Sequence, residues 1–187
     1  PVEIRAVREG SVIPAHNALM TVETTDEECP TVGGWLETLL LRVWYPITVA
    51  TQSYESKLLI RRFMQHTCDT TDGLMFKLHD FGCRGVSSYE TAAIGGCAHL
   101  VSFAGSDTVP GIIMARKIYK EVMAAFSIPA SEHSTITSWG REREVDAYRN
   151  LIKAFGGEGK IFACVSDSYD LFNAIDEHWG NTLRHEV

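Results

Sequence analysis

The order of apolar and turn-forming segments after residue 70 constrains the fold of this chain more than any other feature. Short runs with strand character alternate there with segments of helical periodicity, which is the pattern of βαβ units and a parallel sheet. Four such units are too few for a closed eight-stranded barrel, so we predict an α/β protein carrying part of an incomplete parallel α/β barrel. The predicted strands are 76–81, 99–104, 127–129 and 160–166, and the predicted helices are 87–98, 108–124, 141–155 and 168–179.

The segment before residue 70 has a different pattern. Residues 1–24 alternate apolar and polar side chains, which predicts two or three antiparallel strands. Apolar residues at helical spacing predict a helix that ends near Tyr45-Pro46 and a second helix over 53–66. We therefore predict two domains, a small β-rich and helical segment over 1–70 and the first part of the barrel over 71–187.

Composition excludes several classes of partner. The formal net charge is -7 and the basic residues are scattered, so a nucleic-acid role is not expected. The five cysteines contain no CxxC spacing, which favours free thiols in a reducing cytoplasm over a disulfide framework or a zinc site. No apolar run approaches the roughly 20 residues of a membrane helix. We expect a cytoplasmic protein without nucleic-acid or membrane partners.

A strand-to-helix junction at 77–88, KLHDFGCRGVSS, carries the strongest signal of ligand recognition. Ser87 and Glu90 have the spacing of a capping box that opens a helix. Phe81 offers a flat aromatic face, and Arg84 offers a planar fork of hydrogen-bond donors for a phosphate or carboxylate. The junction therefore predicts a site for a charged ligand that contains an aromatic ring.

Further polar side chains follow the other predicted strands, whose carboxyl ends meet on one face of such a sheet. Asp107 is interpreted either as a carboxylate at a helix N-terminus or as an acceptor for a substrate amide. His133 is either an ordinary histidine or an acid, base or phosphate acceptor. Asp167 is either the orienting partner of such a histidine or part of a helix cap formed by residues 166–168.

Two features of the predicted helices are interpreted as structural. Gly95-Gly96 lies inside a helix without a GxGxxG fingerprint, which favours close helix packing. The charged residues at the start of the helix over 141–155 predict a solvated face rather than paired catalytic carboxylates. These charged residues are Arg141, Glu142, Arg143, Glu144, Asp146 and Arg149.

Several segments together resemble the nicotinamide phosphoribosyltransferase family, in order and in approximate spacing. The resemblance covers essentially the whole chain and implies a type II phosphoribosyltransferase-like fold, in which a β-rich domain lies beside an incomplete α/β barrel. It also implies transfer of the phosphoribosyl group of phosphoribosyl pyrophosphate to nicotinamide, with Mg²⁺, in NAD salvage. The matching segments are WYPITVATQS (44–53), HDFGCRGVSS (79–88), GSDTV (105–109), SEHSTITSWG (131–140) and VSDSYDLFNA (165–174).

The resemblance also implies a role for each candidate residue. Phe81 is similar to the family residue that stacks on the nicotinamide ring, and Arg84 to the arginine beside the ring and the nucleotide phosphate. Asp107 resembles the carboxylate that holds the carboxamide. His133 resembles the histidine that is phosphorylated during ATP-coupled turnover, with Asp167 as its supporting acid. No metal ligand is expected in this chain.

The family resemblance further implies a homodimer in which each site is built across two subunits. By this resemblance we expect the chain to be a central piece of a longer protein and to be inactive alone.

The negative charge of Asp107 favours binding of nicotinamide over nicotinate, because an anionic acceptor attracts an amide NH₂ and repels a carboxylate. Two alternatives stay open: a nicotinate or related pyridine-carboxylate phosphoribosyltransferase, and a non-catalytic binding or interaction module.

Overall fold

The computed structural model describes residues 2–187, and the chain packs as two compact units, Pro1–Phe126 and Ser127–Val187. Each unit mixes helices with short strand pairings, so the α/β class is confirmed. The incomplete barrel and the division into domains 1–70 and 71–187 stay predictions. Across residues 2–187, no helix is both long and apolar enough to cross a membrane.

The first unit opens with an antiparallel pair, as the alternating pattern predicts. Strand β1 (Val2–Ala6) pairs with β2 (Met20–Thr24), with Val2 opposite Thr24. This pairing confirms the antiparallel strands expected within residues 1–24.

Two helices follow, and their boundary differs from the prediction. Helix α1 (Val32–Leu40) leads through a 3₁₀ turn at Leu41–Val43 into α2 (Trp44–Thr67). The predicted end at Tyr45-Pro46 is wrong, because α2 runs through both residues. Pro46 lies in the first turn of α2, where N–H groups have no partner inside the helix, so its missing donor costs little there.

The predicted βαβ unit is present but its strands are short. Strand β3 (His79–Asp80) and β4 (Gly105–Ser106) pair in parallel, and α3 (Tyr89–His99) connects them. The prediction of strand 99–104 is wrong because α3 reaches His99 and the chain then turns, with the amides of Ser102 and Phe103 both donating to the His99 carbonyl. The predicted strand 76–81 shrinks because Leu74–Phe76 forms a 3₁₀ turn.

The next helix packs closely on α3. Helix α4 (Val109–Met114) continues through wider π-type turns over Ala115–Tyr119. A Cβ added at Gly111 would lie 2.7 Å from the carbonyl carbon of Gly96, so the two backbones touch at these glycines. This contact confirms the packing role expected of Gly95-Gly96. Lys120 then ends the helix with a left-handed φ of 63°, before the predicted end at residue 124.

The second unit is mostly helical. It contains α5 (His133–Thr137), a 3₁₀ turn at Arg141–Arg143, α6 (Glu144–Phe155), α7 (Leu171–Asn173) and π-type turns over Ala174–Thr182. The strands predicted at 127–129 and 160–166 are reduced to one parallel bridge between Ala130 and Ala163. A cluster of buried apolar side chains forms the core of this unit: Ile136, Ala147, Tyr148, Leu151, Ala174 and Leu183.

Candidate functional site

Hydrogen bonds fasten the loops that follow β3 and β4 to each other. The Asp80 carboxylate accepts from the Gly82 amide at 2.8 Å and from the Ser106 hydroxyl at 3.2 Å. The Asp107 amide donates to the Asp80 carbonyl at 3.0 Å. These bonds hold the two strand ends, and the candidate residues attached to them, in one arrangement.

Phe81 and Arg84 lie where the sequence places them, in the loop after β3. The Phe81 side chain is 51% exposed although it is a large apolar residue. Arg84 lies in the 3₁₀ turn Gly82–Gly85, is exposed, and forms no hydrogen bond or ion pair with any residue in the described part of the chain. An open aromatic face and an unoccupied guanidinium are thus presented by one short loop.

The cap of the following helix differs by one residue from the prediction. Ser88, rather than Ser87, is the N-cap of α3, and its hydroxyl accepts from the Thr91 amide at 3.1 Å. The hydroxyls of Ser88 and Thr91 also lie 2.8 Å apart, so Thr91 occupies the place expected for Glu90 in a capping box.

Asp107 contacts His79, a histidine that the local sequence pattern does not single out. His79 Nε2 lies 3.2 Å from Asp107 Oδ1, and the His79 ring lies 4.6 Å from the Phe81 ring, centroid to centroid, with a tilt of 32°. Residues 79 and 81 are two positions apart, so their side chains share one face of an extended segment. That spacing is the signal by which His79 could have been found.

A second histidine lies behind this region and joins α2 to α3. His99 is buried, its Nδ1 lies 3.0 Å from the Ser53 hydroxyl, and its ring stacks on Phe103 at 5.3 Å. Burial lowers the pKa of His99, against the opposing effects of Asp80 and nearby backbone carbonyls. The imidazole is therefore held in its neutral form.

In the second unit, His133 and Asp167 lie together as predicted. His133 is the first residue of α5, and its Nε2 lies 3.0 Å from Asp167 Oδ1. Both side chains are exposed, by 66% and 58%. The alternative in which residues 166–168 cap the next helix is wrong, because Asp170 is the N-cap of α7 and accepts from the Asn173 amide at 3.0 Å.

Hydrogen bonds that are partly shielded from solvent support the two loops that carry this pair. The Ser131 amide donates to the Ala163 carbonyl at 3.0 Å, and the Ser131 hydroxyl accepts from the Val165 amide at 2.8 Å. Behind them, the Trp179 indole N–H donates to the Ser166 hydroxyl at 2.9 Å. Each loop is therefore fixed within two residues of His133 or Asp167.

The prediction of a fully solvated face at the start of α6 is wrong for Glu144. This residue is 4% exposed, and its carboxylate accepts from the Tyr148 hydroxyl at 2.7 Å and lies 3.5 Å from His178 Nε2. Burial first, and then this hydrogen bond, raise the pKa of Tyr148. Glu144 and His178 border a cavity of about 240 Å³. The neighbouring Arg143, Asp146 and Arg149 form ion pairs near the surface, as expected.

Metal-ligating side chains do not cluster in the described chain. Among residues 2–187, no three His, Cys, Asp or Glu side chains are grouped so that they could hold a metal ion. The five cysteines are free thiols, as predicted. Burial raises the pKa of the Cys97 and Cys164 thiols, which keeps them protonated at neutral pH.

The fold and the two clusters define a mixed α/β protein in which reactive side chains follow short parallel strand pairings, one cluster in each unit. The sequence model of the nicotinate phosphoribosyltransferase (NAPRTase) family matches residues 76–187. The chain belongs to this family.

Curated relatives agree with the family match. The chain is 60% identical over 188 aligned residues to a nicotinamide phosphoribosyltransferase of Xanthomonas campestris pv. campestris (strain 8004), covering 100% of this chain and 40% of that protein. It is 32% identical to a protein of the same name from Acinetobacter baylyi, over 95% of this chain and 35% of that protein. A Mycoplasma pneumoniae protein of that name is 33% identical, over 94% of this chain and 37% of that protein. The chain therefore spans about two fifths of the length of these relatives.

Proposed function

We propose that this chain is part of a longer enzyme that transfers the phosphoribosyl group of phosphoribosyl pyrophosphate to nicotinamide. The products are nicotinamide mononucleotide and pyrophosphate, in NAD salvage. The observation that carries the proposal is the exposed Phe81 ring, linked through His79 to the Asp107 carboxylate. The shared name of the three relatives supports the same substrate. Because the chain spans about two fifths of those proteins, the activity belongs to the longer protein.

Each residue of the ring cluster has a distinct part in recognition. Phe81 stacks on one face of the pyridine ring. Asp107 accepts a hydrogen bond from the carboxamide NH₂, and its negative charge repels the carboxylate of nicotinate. Arg84, which has no ionic partner within residues 2–187, lies beside the ring and the phosphate of the nucleotide. Together they select a neutral amide with an aromatic ring.

The chemical step requires positioning more than a protein nucleophile. As pyrophosphate leaves, the ribosyl carbon becomes electron-poor and the ring nitrogen attacks it, so the residues that align the ring accelerate the reaction. Mg²⁺ is expected with phosphoribosyl pyrophosphate. Since residues 2–187 present no cluster of three metal-ligating side chains, we assign none of them to Mg²⁺.

His133 and Asp167 are proposed as the pair that couples ATP to turnover. In the tautomer in which His133 Nε2–H donates to Asp167, the lone pair lies on Nδ1 and is the nucleophile for a phosphoryl group. The Nδ1–P bond forms as the bond between the terminal phosphorus of ATP and its bridging oxygen breaks, so ADP leaves. Asp167 stabilises the ring as it becomes positively charged. We also propose a cytoplasmic homodimer in which a partner subunit completes the ring site.

A nicotinate phosphoribosyltransferase is the second candidate, because the matching family model carries that name. The two candidates differ in the charge of the ring substituent that Asp107 meets. A hydrogen-bond donor or a cation at this position strengthens the binding of nicotinate, whereas an acceptor strengthens the binding of nicotinamide.

Steady-state kinetics of the longer protein with each substrate, phosphoribosyl pyrophosphate and Mg²⁺ distinguish these candidates. We expect a higher kcat/KM for nicotinamide than for nicotinate. Asp107→Asn should lower the kcat/KM for nicotinamide roughly 10- to 100-fold. It should also reduce the ratio of kcat/KM for nicotinamide to that for nicotinate. Asp72→Asn, at an exposed carboxylate outside the cluster, is the matched control. A preference for nicotinate would overturn the substrate assignment, and nicotinamide binding without turnover would favour a binding module.

A further inference from the structure

We infer that His79 is a positioning residue that sets the preference for amide over acid, by holding Asp107 and Phe81 in register. This inference rests on the function proposed above and assigns a role to a residue that the substrate need not touch. One imidazole bridges the two groups that recognise different parts of the ligand: its Nε2 reaches the carboxylate at 3.2 Å and its ring packs on the phenyl ring at 4.6 Å.

The degree of exposure separates the positioning group from the binding group. The His79 side chain is 18% exposed, whereas the Asp107 side chain is 44% exposed. The imidazole is therefore less exposed than the carboxylate that it contacts. Phe81 is also open to solvent, so the two accessible groups both contact a half-buried imidazole.

The strand register fixes the His79 ring in place. The parallel pairing of β3 with β4 sets His79 opposite Gly105, and a Cβ at residue 105 would lie only 2.7 Å from His79 Nδ1. Glycine therefore provides the space that the imidazole occupies. The bonds of Asp80 to both strand ends, described above, keep this register from shifting.

A fixed donor on the carboxylate has two consequences for selectivity. The Nε2–H group donates to Asp107 Oδ1 and restricts rotation of the carboxylate, so less ordering is needed when the carboxamide binds. A hydrogen bond also leaves the negative charge on the carboxylate, which maintains repulsion of nicotinate. Loss of the donor should therefore weaken nicotinamide binding and discrimination together, without changing the binding of phosphoribosyl pyrophosphate.

Two substitutions of His79 separate the hydrogen bond from the ring contact. His79→Phe keeps an aromatic ring against Phe81 and removes the donor, whereas His79→Gln keeps an N–H donor of similar reach and removes the ring. In the longer protein we expect His79→Phe to raise the KM for nicotinamide on the order of tenfold and to lower the nicotinamide-to-nicotinate ratio of kcat/KM. The KM for phosphoribosyl pyrophosphate should not change. His79→Gln should recover most of the ratio.

A third substitution, in the neighbouring strand, also tests the position of the His79 imidazole. Gly105→Ala should displace the His79 ring and lower the nicotinamide-to-nicotinate ratio of kcat/KM. Gly34→Ala is the control and should leave this ratio unchanged, because an added Cβ there meets nothing within 4 Å. In an Asp107→Asn background the effect of His79→Phe on the ratio should shrink, because the group that it positions has lost its charge.

Several outcomes would overturn the positioning role. The positioning role is wrong if His79→Phe leaves the nicotinamide-to-nicotinate ratio of kcat/KM unchanged. It is also wrong if His79→Phe lowers kcat/KM equally for both substrates and raises the KM for phosphoribosyl pyrophosphate. Full additivity with Asp107→Asn would equally contradict it. If the unsubstituted protein prefers nicotinate, the proposed function itself fails, which is a different result from a nicotinamide enzyme that is indifferent to His79.

Discussion

His133 Nε2 lies 3.0 Å from Asp167 Oδ1, and both side chains are more than half exposed. Exposed ion pairs contribute about 0–1 kcal/mol to stability, so folding alone gives little reason for this contact. The loops beneath the pair are, by contrast, held by part-buried hydrogen bonds. A weakly stabilising pair on well-ordered supports is the arrangement expected of residues that act on a ligand.

This arrangement predicts that Asp167 affects chemistry and not stability. Asp167→Asn in the longer protein should change the free energy of unfolding by less than about 1 kcal/mol. It should lower transfer of phosphate from ATP to His133 at least roughly tenfold, because the ring loses the carboxylate that stabilises its positive charge. Incorporation of labelled phosphate and urea unfolding measure the two effects, with His133→Ala as the zero reference. A fall in stability with unchanged labelling would contradict the coupling role.

The part-buried support of this pair predicts the opposite result at Ser131. Ser131→Ala removes the buried hydroxyl that accepts from the amide of the half-buried Val165. We expect a loss of about 1 kcal/mol in the free energy of unfolding, measured by urea denaturation. Ser138→Ala, at an exposed hydroxyl in the same region, should change it by less than about 0.5 kcal/mol. Equal effects would mean that the Val165 amide finds another partner.

The sequence predicts the positions of the candidate residues better than it predicts the strands between them. Phe81, Asp107, His133 and Asp167 stand out because polar or aromatic residues beside glycine and serine follow short apolar runs, and their roles stay predictions. His79 was missed because it lies within a predicted strand, where side chains are assumed to serve packing. Its contact with Asp107 depends on the parallel register of β3 with β4, a pairing of distant residues that local patterns do not encode.

Pro46 and Glu144 show two further limits of local patterns. A proline ends many helices, but Pro46 lies in a first turn, where its missing donor is not needed. Glu144 belongs to a charged run, which usually predicts a solvated face. It also lies four and seven positions before Tyr148 and Leu151, so helical periodicity sets it on the buried side, a signal that could have been used.

Burial of Glu144 predicts that Tyr148 stabilises the second unit through its hydroxyl. Tyr148→Phe keeps the ring that stacks on Trp179 at 4.9 Å but removes the donor to the buried carboxylate. The free energy of unfolding should fall by about 1–3 kcal/mol, because the carboxylate loses a partner while buried. Replacing Glu144 by Gln in the same variant should restore part of the loss, since a neutral amide is less costly to bury. Urea unfolding of the four proteins in this cycle tests the coupling, and strict additivity would contradict it.

The lowered pKa of His99 predicts a loss of stability in mild acid. The unfolded chain takes up a proton near pH 6.5, the ordinary pKa of histidine, whereas the folded chain resists it because burial disfavours the charged ring. In the window below pH 6.5 and above the lowered folded-state pKa, the unfolded state binds more protons, so stability falls as pH falls. The loss is complete below the folded-state pKa.

Urea unfolding between about pH 5 and 7.5 measures this slope. His99→Gln should be less stable than the unsubstituted protein at neutral pH but should show a shallower dependence on pH, so the slopes are compared instead of the absolute values. His66→Gln, at an exposed histidine, should keep the original slope. A slope that persists in His99→Gln would assign the acid sensitivity to other groups. A slope that is lost in His66→Gln would contradict the role of the buried His99.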